Sequence, residues 1–257
     1  MNAAGRWIGQ LSGMALRLLP TLPYARPAPE DSAAPVVEAR ELGASARPGS
    51  PAAFSGVSFT VRRGTRVALT GPNGSGKSTL LRVLAGLAPA TRGEIAVLGA
   101  RPRTGRPKVA FLSQRPDFTA PFPMSLRRLV RTGTYAHHGW FEECHHGDEA
   151  VDRALAMMGL SELAERQVHT LSGGQLQRAL LARAAVQGAE LLLLDEPYAA
   201  LDDASRSLVD AHLFSPDAAF TVLMATHETT GLPRFNQVLE LGRDGLSVRD
   251  GKEAHGG

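Results

Sequence analysis

A glycine-rich segment, Gly71-Pro-Asn-Gly-Ser-Gly-Lys-Ser78, carries residue types suited to binding a triphosphate. Its spacing is GxxxxGK[ST], with a strand pattern before it at 66–70 and a helix pattern after it at 77–87. Glycines let such a loop curl so that its backbone N–H groups surround phosphate oxygens. We expect Lys77 to reach the β- and γ-phosphates and Ser78 to ligate Mg²⁺. The predicted phosphate-binding set is Gly71, Pro72, Asn73, Gly74, Ser75, Gly76, Lys77, Ser78 and Thr79.

Two adjacent carboxylates follow an apolar run farther along the chain. Residues 191–194 are all leucine and predict a buried strand, with Asp195 and Glu196 at its tip. Beside a nucleotide, Asp195 would hold Mg²⁺ through water and Glu196 would act as the general base or orient the attacking water. The alternative is a core strand with a solvated acidic end, which the phosphate loop upstream disfavours.

A third motif, Leu171-Ser-Gly-Gly-Gln175, opens a predicted helix at 173–186. Ser172 is a favoured N-cap, and the two glycines leave backbone amides accessible to an anion. Together with the phosphate loop, Gln114, the Asp195-Glu196 pair and Thr226-His227, this motif closely resembles the ABC ATPase family. The motifs occur in the family order, and the resemblance spans about residues 35–249.

The resemblance implies a homodimer that hydrolyses ATP with Mg²⁺. It implies that the LSGGQ motif of one subunit closes over the γ-phosphate held by the other, through Ser172, Gly173, Gly174 and Gln175. It also implies that Gln114 senses Mg²⁺ and the attacking water, that His227 contacts the γ-phosphate and that Asp202 links the two sites. A core histidine is the alternative for His227, disfavoured by its place after a strand. The candidate catalytic residues are Gln114, Glu196 and His227, and the Mg²⁺ ligands are Ser78, Gln114 and Asp195.

The expected fold is α/β, a P-loop NTPase core with an antiparallel β lobe and an inserted helical lobe at about 115–172. Strand patterns at 36–40, 57–61, 94–98, 108–112 and 220–225 and helix patterns at 125–158 and 203–214 support it. Residues 20–51 are rich in Pro, Ala, Ser and Gly. We therefore expect tails at 1–34 and 251–257 around a domain at 35–250, with the first tail disordered.

Composition restricts the partners of the chain. The longest apolar run near the middle has four residues, far below the roughly 20 that cross a bilayer, so another subunit would have to span the membrane. A single cysteine, Cys144, favours the cytoplasm. Because the net charge is +3, a nucleic-acid partner has to be considered. However, the densest basic group, at 101–108, is broken by Pro and Gly and predicts a solvated loop, so no nucleic acid is expected.

The cargo is predicted from resemblance alone. One cassette that ends about 30 residues after His227 is the layout of separate motor subunits of bacterial importers, which act with an integral membrane permease and an extracytoplasmic binding protein. Such a subunit lies peripherally on the cytoplasmic face of the membrane. Segments 114–116, 121–125 and 132–141 resemble zinc and manganese importer ATPases. The alternatives are a siderophore or iron importer, and a non-transport ABC ATPase of DNA repair or of the ribosome.

Five soft-metal ligands fall within ten residues, namely His137, His138, Cys144, His145 and His146. An exposed polar loop is the favoured interpretation, because adjacent His pairs point in different directions and rarely ligate together. The alternative is a Zn²⁺ site that dampens the motor, and Zn²⁺ titration of the chain against a five-alanine variant separates the two.

The sequence departs from the family pattern at the adenine. An aromatic that stacks on the base normally follows the first strand, but Gly43-Ala-Ser-Ala-Arg47 contains none. The Arg47 guanidinium is the remaining group that could stack there.

We therefore predict weak discrimination between ATP and GTP, since one base-stacking contact contributes roughly 1–3 kcal/mol. The measurement is kcat/KM for each nucleotide. Similar values fit the prediction, whereas a preference for ATP above about a hundredfold would show that another group reads adenine.

Overall fold

The computed structural model describes residues 35–47, 49–105, 108–114, 123–136, 147–227, 232–242 and 245–251. The expected tail at 1–34, residues 252–257 of the tail expected at 251–257, and the His and Cys cluster at 137–146 lie outside these residues. Within the described ranges, no helix combines the length and apolar character needed to cross a bilayer. Gly251, placed in the second tail from the sequence, is buried, and its N–H donates to the carbonyl of Asn236 (3.3 Å).

The described residues form both strands and helices, as expected for an α/β protein. The strands are β1 (Pro35–Ser45), β2 (Ala52–Arg62), β3 (Arg66–Thr70), β4 (Arg92–Val97), β5 (Val109–Leu112), β6 (Leu191–Asp195), β7 (Thr221–Ala225), β8 (Gln237–Leu241) and β9 (Leu246–Asp250). The helices are α1 (Lys77–Leu84), α2 (Leu126–Arg131), α3 (Gly147–Met157), α4 (Gly173–Val186) and α5 (Asp203–Leu213). Short 3-10 helices lie at Thr132–Ala136, Ser161–Leu163, Val168–Thr170 and Leu232–Arg234.

The larger sheet has the order β5-β6-β7-β3-β8-β9 and is parallel except for the β8–β9 pair. Both β6 and β7 are buried along their whole length, which is why their sequences are apolar runs rather than alternating patterns. Parallel strands end at one edge of a sheet. The segments that follow β3, β5, β6 and β7 therefore meet at that edge, and they contain the phosphate loop, Gln114, Glu196 and His227.

The smaller sheet is antiparallel, with the order β2-β1-β4, and its apolar face packs on α1. It confirms the expected β lobe. Its first strand is longer than the sequence predicts, because it continues past a bulge at Glu41 (φ 48°) to Ser45. The segment expected to face adenine at 43–47 therefore begins inside a strand, and only Ala46 and Arg47 follow it.

The described part of the expected helical lobe packs as one unit. Apolar residues of α2 and α3 bury against α4, whose sequence is apolar or small on nearly every side. The backbones of the lobe approach closely at Gly133, where a Cβ would overlap the carbonyl of Arg183. Since α4 shares a core with α2 and α3 while its C-terminal end leads into β6, it joins the lobe to the sheet.

Arg66 forms a buried cross-link at the edge of the sheet opposite the phosphate loop. Its Nε donates to the carbonyl of Leu213 (2.6 Å), and its Nη atoms donate to those of Gly64 (2.8 Å), Ala218 (3.2 Å) and Phe220 (2.7 Å). Only 7% of the residue is exposed, and burial lowers its pKa. The guanidinium thus fixes the end of α5 and the turn that leads into β7 to the start of β3.

Candidate active site

The phosphate loop adopts backbone conformations that favour glycine. Gly71, Gly74 and Gly76 have φ angles of 137°, 79° and 99°, and a Cβ on Gly71 would overlap the carbonyl of Leu241. Gly76 caps the N-terminus of α1, so the first amides of that helix open toward the loop. The local sequence therefore produces the cradle that it predicts.

Lys77 lies inside this loop and is 7% exposed. Its Nζ donates to the carbonyls of Gly71 (2.8 Å) and Pro72 (3.0 Å). Burial lowers the pKa of Lys77, against the opposing influence of Glu196 and Asp195. The Oγ of Ser75, also within the loop, is buried without a hydrogen-bond partner among the described residues. The ammonium of Lys77 is held by neutral carbonyls, and the hydroxyl of Ser75 has no partner among the described residues. Both groups therefore fit a loop that receives phosphate oxygens.

Ser78 and Asp195 supply adjacent hard oxygen atoms. The Oγ of Ser78 donates to Oδ1 of Asp195 (3.1 Å), which joins the start of α1 to the end of β6. Burial raises the pKa of Asp195, and nearby Glu196 raises it further, while Ser78, Arg82 and Lys77 oppose the shift. A hydroxyl beside a buried carboxylate is a donor set that Mg²⁺ accepts together with phosphate oxygens and water.

Glu196 is held by side chains from two other strand ends. Its Oε2 accepts from Nε2 of Gln114 (2.7 Å), and its Oε1 lies 2.5 Å from Nε2 of His227. Its backbone has φ 50°, in the left-handed region, and its N–H donates to the carbonyl of Ala225 (3.1 Å). A carboxylate so fixed can orient a water molecule and accept its proton. The structure thus brings the three predicted catalytic residues together, with the amide of Gln114 on Glu196.

The LSGGQ motif begins α4, and Ser172 is its N-cap as predicted. The Oγ of Ser172 accepts from the N–H of Gln175 (3.2 Å), and Oε1 of Gln175 accepts from the N–H of Ser172 (3.0 Å). A Cβ on Gly174 would lie 2.7 Å from the carbonyl of Ala200. None of the hydrogen bonds found in the described residues joins this motif to the phosphate loop of the same chain. Ser172, Gly173 and Ala200 are all exposed and lie on one surface.

Asp202 has a local role that the resemblance did not indicate. Its Oδ1 accepts from the N–H of Ser205 (2.8 Å), so its carboxylate caps the N-terminus of α5. This hydrogen bond lowers the pKa of Asp202, as does nearby Arg178. The link between two sites remains a prediction for this residue.

Sequence reasoning missed two aromatic residues near these loops. Phe54, on β2, packs against Gly76, with a ring carbon 3.0 Å from the position of a Cβ there. The ring is buried in the β-lobe core and 6% of the residue is exposed, so little of it is free to stack on a base. Tyr198 follows Glu196 by two residues and hydrogen-bonds to Asp210. In the sequence, its nearness to the site was indicated only by its position two residues after Glu196. Arg47 is exposed, with its N–H donating to Oγ of Ser50 (3.1 Å), and its base contact stays a prediction.

Comparison with known proteins gives one family. Residues 54–199 match the ABC transporter family. The manganese transport system ATP-binding protein MntB of Halalkalibacterium halodurans is 34% identical, covering 75% of this chain and 78% of its own length. The zinc transport system ATP-binding protein TroB of Treponema pallidum is 35% identical, covering 72% and 71%.

The fold also matches solved structures. A protein described as a metal-chelate type ABC transporter in an inward-facing conformation superposes with a TM-score of 0.72 at 29% identity, over 86% of this chain and 85% of that chain. The motif order read from the sequence and the geometry read from the structure therefore agree with the same family.

Glu196→Gln should leave nucleotide binding intact and reduce turnover to less than about a tenth, because the general base contributes roughly 10²- to 10⁴-fold. The amide keeps the shape of the side chain and leaves Ser78 and Asp195 untouched. Phosphate release and equilibrium nucleotide binding are the two measurements. Glu162→Gln, at an exposed position of the helical lobe, is the matched control and should turn over normally. Turnover above a tenth in Glu196→Gln would remove Glu196 from the role of base.

Proposed function

This chain belongs to the ABC transporter family, and on that premise we propose that it is the ATP-hydrolysing subunit of an importer for a metal cation, zinc or manganese. The observation that carries the hydrolytic part is the carboxylate of Glu196, held between Gln114 and His227 beside the Ser78–Asp195 pair. The proposal of zinc or manganese as the cargo rests on the similarity to the zinc and manganese transport relatives.

The chemistry assigned to these residues is attack of water on the γ-phosphate of ATP. Glu196 orients the water and accepts its proton, while Gln114 and His227 keep the carboxylate in one orientation. Lys77, freed from the loop carbonyls, offsets the charge of the β- and γ-phosphates. Ser78 and Asp195 would hold Mg²⁺, which when bound neutralises charge on the phosphate oxygens.

We assign the working form as a homodimer with two composite sites. The phosphate loop and the LSGGQ face each present exposed residues, and within the described part of the chain they make no hydrogen bond to each other. A two-fold axis that places Ser172 and Gly173 of one copy over the phosphate loop of the other completes two equal sites. The amides at the N-terminus of α4 then face the γ-phosphate.

A mixing experiment tests this trans arrangement. Ser172→Arg should abolish turnover without loss of ATP binding to the monomer, and Lys77→Ala should abolish turnover by weakening the phosphate contact. A mixed dimer retains one composite site that neither substitution touches, so mixing the two inactive variants should restore turnover. The measurement is phosphate release from the mixture, with cross-linking to count mixed dimers. Mixed dimers that form and stay inactive would contradict independent sites built in trans.

The transport part of the proposal requires a membrane partner. We assign an integral membrane permease as the direct partner and an extracytoplasmic binding protein as an indirect one, which places the chain peripherally at the cytoplasmic face of the membrane. The likeness to a metal-chelate type transporter keeps a siderophore-type importer as the second candidate.

Metal uptake by cells that lack this chain tests the cargo. Restoring the chain should restore uptake of radioactive zinc or manganese, and restoring Glu196→Gln should not, because hydrolysis drives the import. Loss of iron–chelate uptake with normal zinc and manganese uptake would favour the second candidate. Normal uptake of all three, or failure of the chain to co-purify with any integral membrane protein, would contradict the transport proposal.

A further inference from the structure

Tyr198 donates a hydrogen bond into a charged network behind the catalytic loop. Its hydroxyl donates to Oδ1 of Asp210 (2.5 Å), in the second half of α5. Nη1 of Arg234 donates to Oδ2 of the same carboxylate (2.5 Å), and its Nη2 donates to the Tyr198 hydroxyl (3.3 Å). Three separate elements meet there, namely the segment 197–202, helix α5 and the 3-10 helix Leu232–Arg234.

The ring of Tyr198 is enclosed as well as hydrogen-bonded. The guanidinium of Arg206 lies 4.7 Å from the centre of the ring, and that of Arg234 lies 5.7 Å from it. The ring also packs against the larger core. Burial and the neighbouring carboxylate of Asp210 raise the pKa of Tyr198, so its hydroxyl stays protonated and remains a donor.

The segment 197–202 is fixed on its other side by α4. The carbonyl of Ala200 approaches Gly174 so closely that no side chain fits between them. The same segment directly follows Glu196, whose backbone is in the left-handed region, and ends at Asp202, the cap of α5. The hydroxyl of Tyr198 therefore anchors the segment between Glu196 and the contact of Ala200 with the LSGGQ helix.

A phenylalanine would fill the same space in the core, so packing does not account for the hydroxyl. Hydrogen bonds to a charged group contribute more than neutral ones, and here the acceptor is a carboxylate that also binds a guanidinium. The hydroxyl adds orientation. It binds both members of the Asp210–Arg234 ion pair, so it ties the loop to α5 and to the 3-10 helix Leu232–Arg234 at once.

We propose that Tyr198 is a positioning residue: its hydroxyl, held by Asp210 and Arg234, sets the loop 197–202 so that Glu196 and the LSGGQ helix are presented in one fixed relation. This inference rests on the proposed composite site. It assigns the network no contact with nucleotide, and it predicts that loosening the loop weakens closure of the dimer and turnover, not binding of ATP to a single chain.

The test is Tyr198→Phe, which removes only the hydroxyl, with Ser207→Ala as the control. Ser207 lies on the exposed side of α5, the helix that contains Asp210, and its hydroxyl donates to the carbonyl of Asp203 (2.9 Å). Each is made in the native chain for kcat and KM, and in Glu196→Gln for the ATP concentration that produces dimer. The melting temperature and ATP affinity at low chain concentration are measured in all of them.

The expected result is a fall in kcat of about tenfold and a similar rise in the ATP concentration that produces dimer, with unchanged ATP affinity of the monomer. Arg234→Lys keeps the charge but not the contact with the phenol, and it should also lower kcat. The double variant with Tyr198→Phe should lose less kcat than the two single losses combined. Ser207→Ala should match the parent chain.

Two outcomes overturn the inference. One is a Tyr198→Phe chain with kcat and dimer threshold equal to those of Ser207→Ala. The other is a chain that loses only melting temperature, which is the signature of packing without positioning. If Glu196→Gln alone does not dimerise with ATP, the composite-site proposal fails separately. The comparison of kcat between Tyr198→Phe and Ser207→Ala then still decides whether the hydroxyl positions Glu196.

Discussion

The carboxylate of Glu196 can be shared by Gln114 and His227 only because β5, β6 and β7 are parallel neighbours that end at one edge. A one-residue shift in either pairing would turn every residue of the shifted strand to the other face of the sheet, and it would displace the loop that follows the strand. The left-handed backbone at Glu196 costs on the order of 1–3 kcal/mol, and it persists because the surrounding hydrogen bonds determine it. Strand register, not loop chemistry, is therefore the primary constraint on the site.

The same edge of the sheet holds charges that burial disfavours. Burial moves the pKa of Lys77 downward and that of Asp195 upward, so each shift favours the neutral form. The two groups partly compensate each other, and Ser78 adds a hydrogen bond, but Ser75 is left unpaired among the described residues. A polyanion with its cation would add the missing partners for both signs of charge. The desolvation of this site is thus part of its selectivity for a charged ligand.

Local motifs were readable from the sequence because a few adjacent residues produce them. The helix at 173–186 and the strand at 66–70 have the predicted limits, and Ser172 caps its helix, since capping and glycine chemistry act within a few positions. The first strand was predicted too short, because its continuation beyond Glu41 depends on pairing with β2 and β4. The contact of Gln114 with Glu196 spans 82 positions, and that of Tyr198 with Arg234 spans 36. Only the completed fold specifies such pairs.

The buried guanidinium of Arg66 has a mechanical consequence for α5. Its Nε donates to the carbonyl of Leu213, the last residue of this helix. The first turn, by contrast, is capped by Asp202, which is exposed. The helix has 11 residues and is therefore about 16 Å long. Because its C-terminal end is held, the helix can tilt only about that end, which lies at the edge of the sheet opposite the phosphate loop. A tilt of about 5° about that end would displace the N-terminus of the helix by about 1.4 Å, enough to break a hydrogen bond of ordinary length.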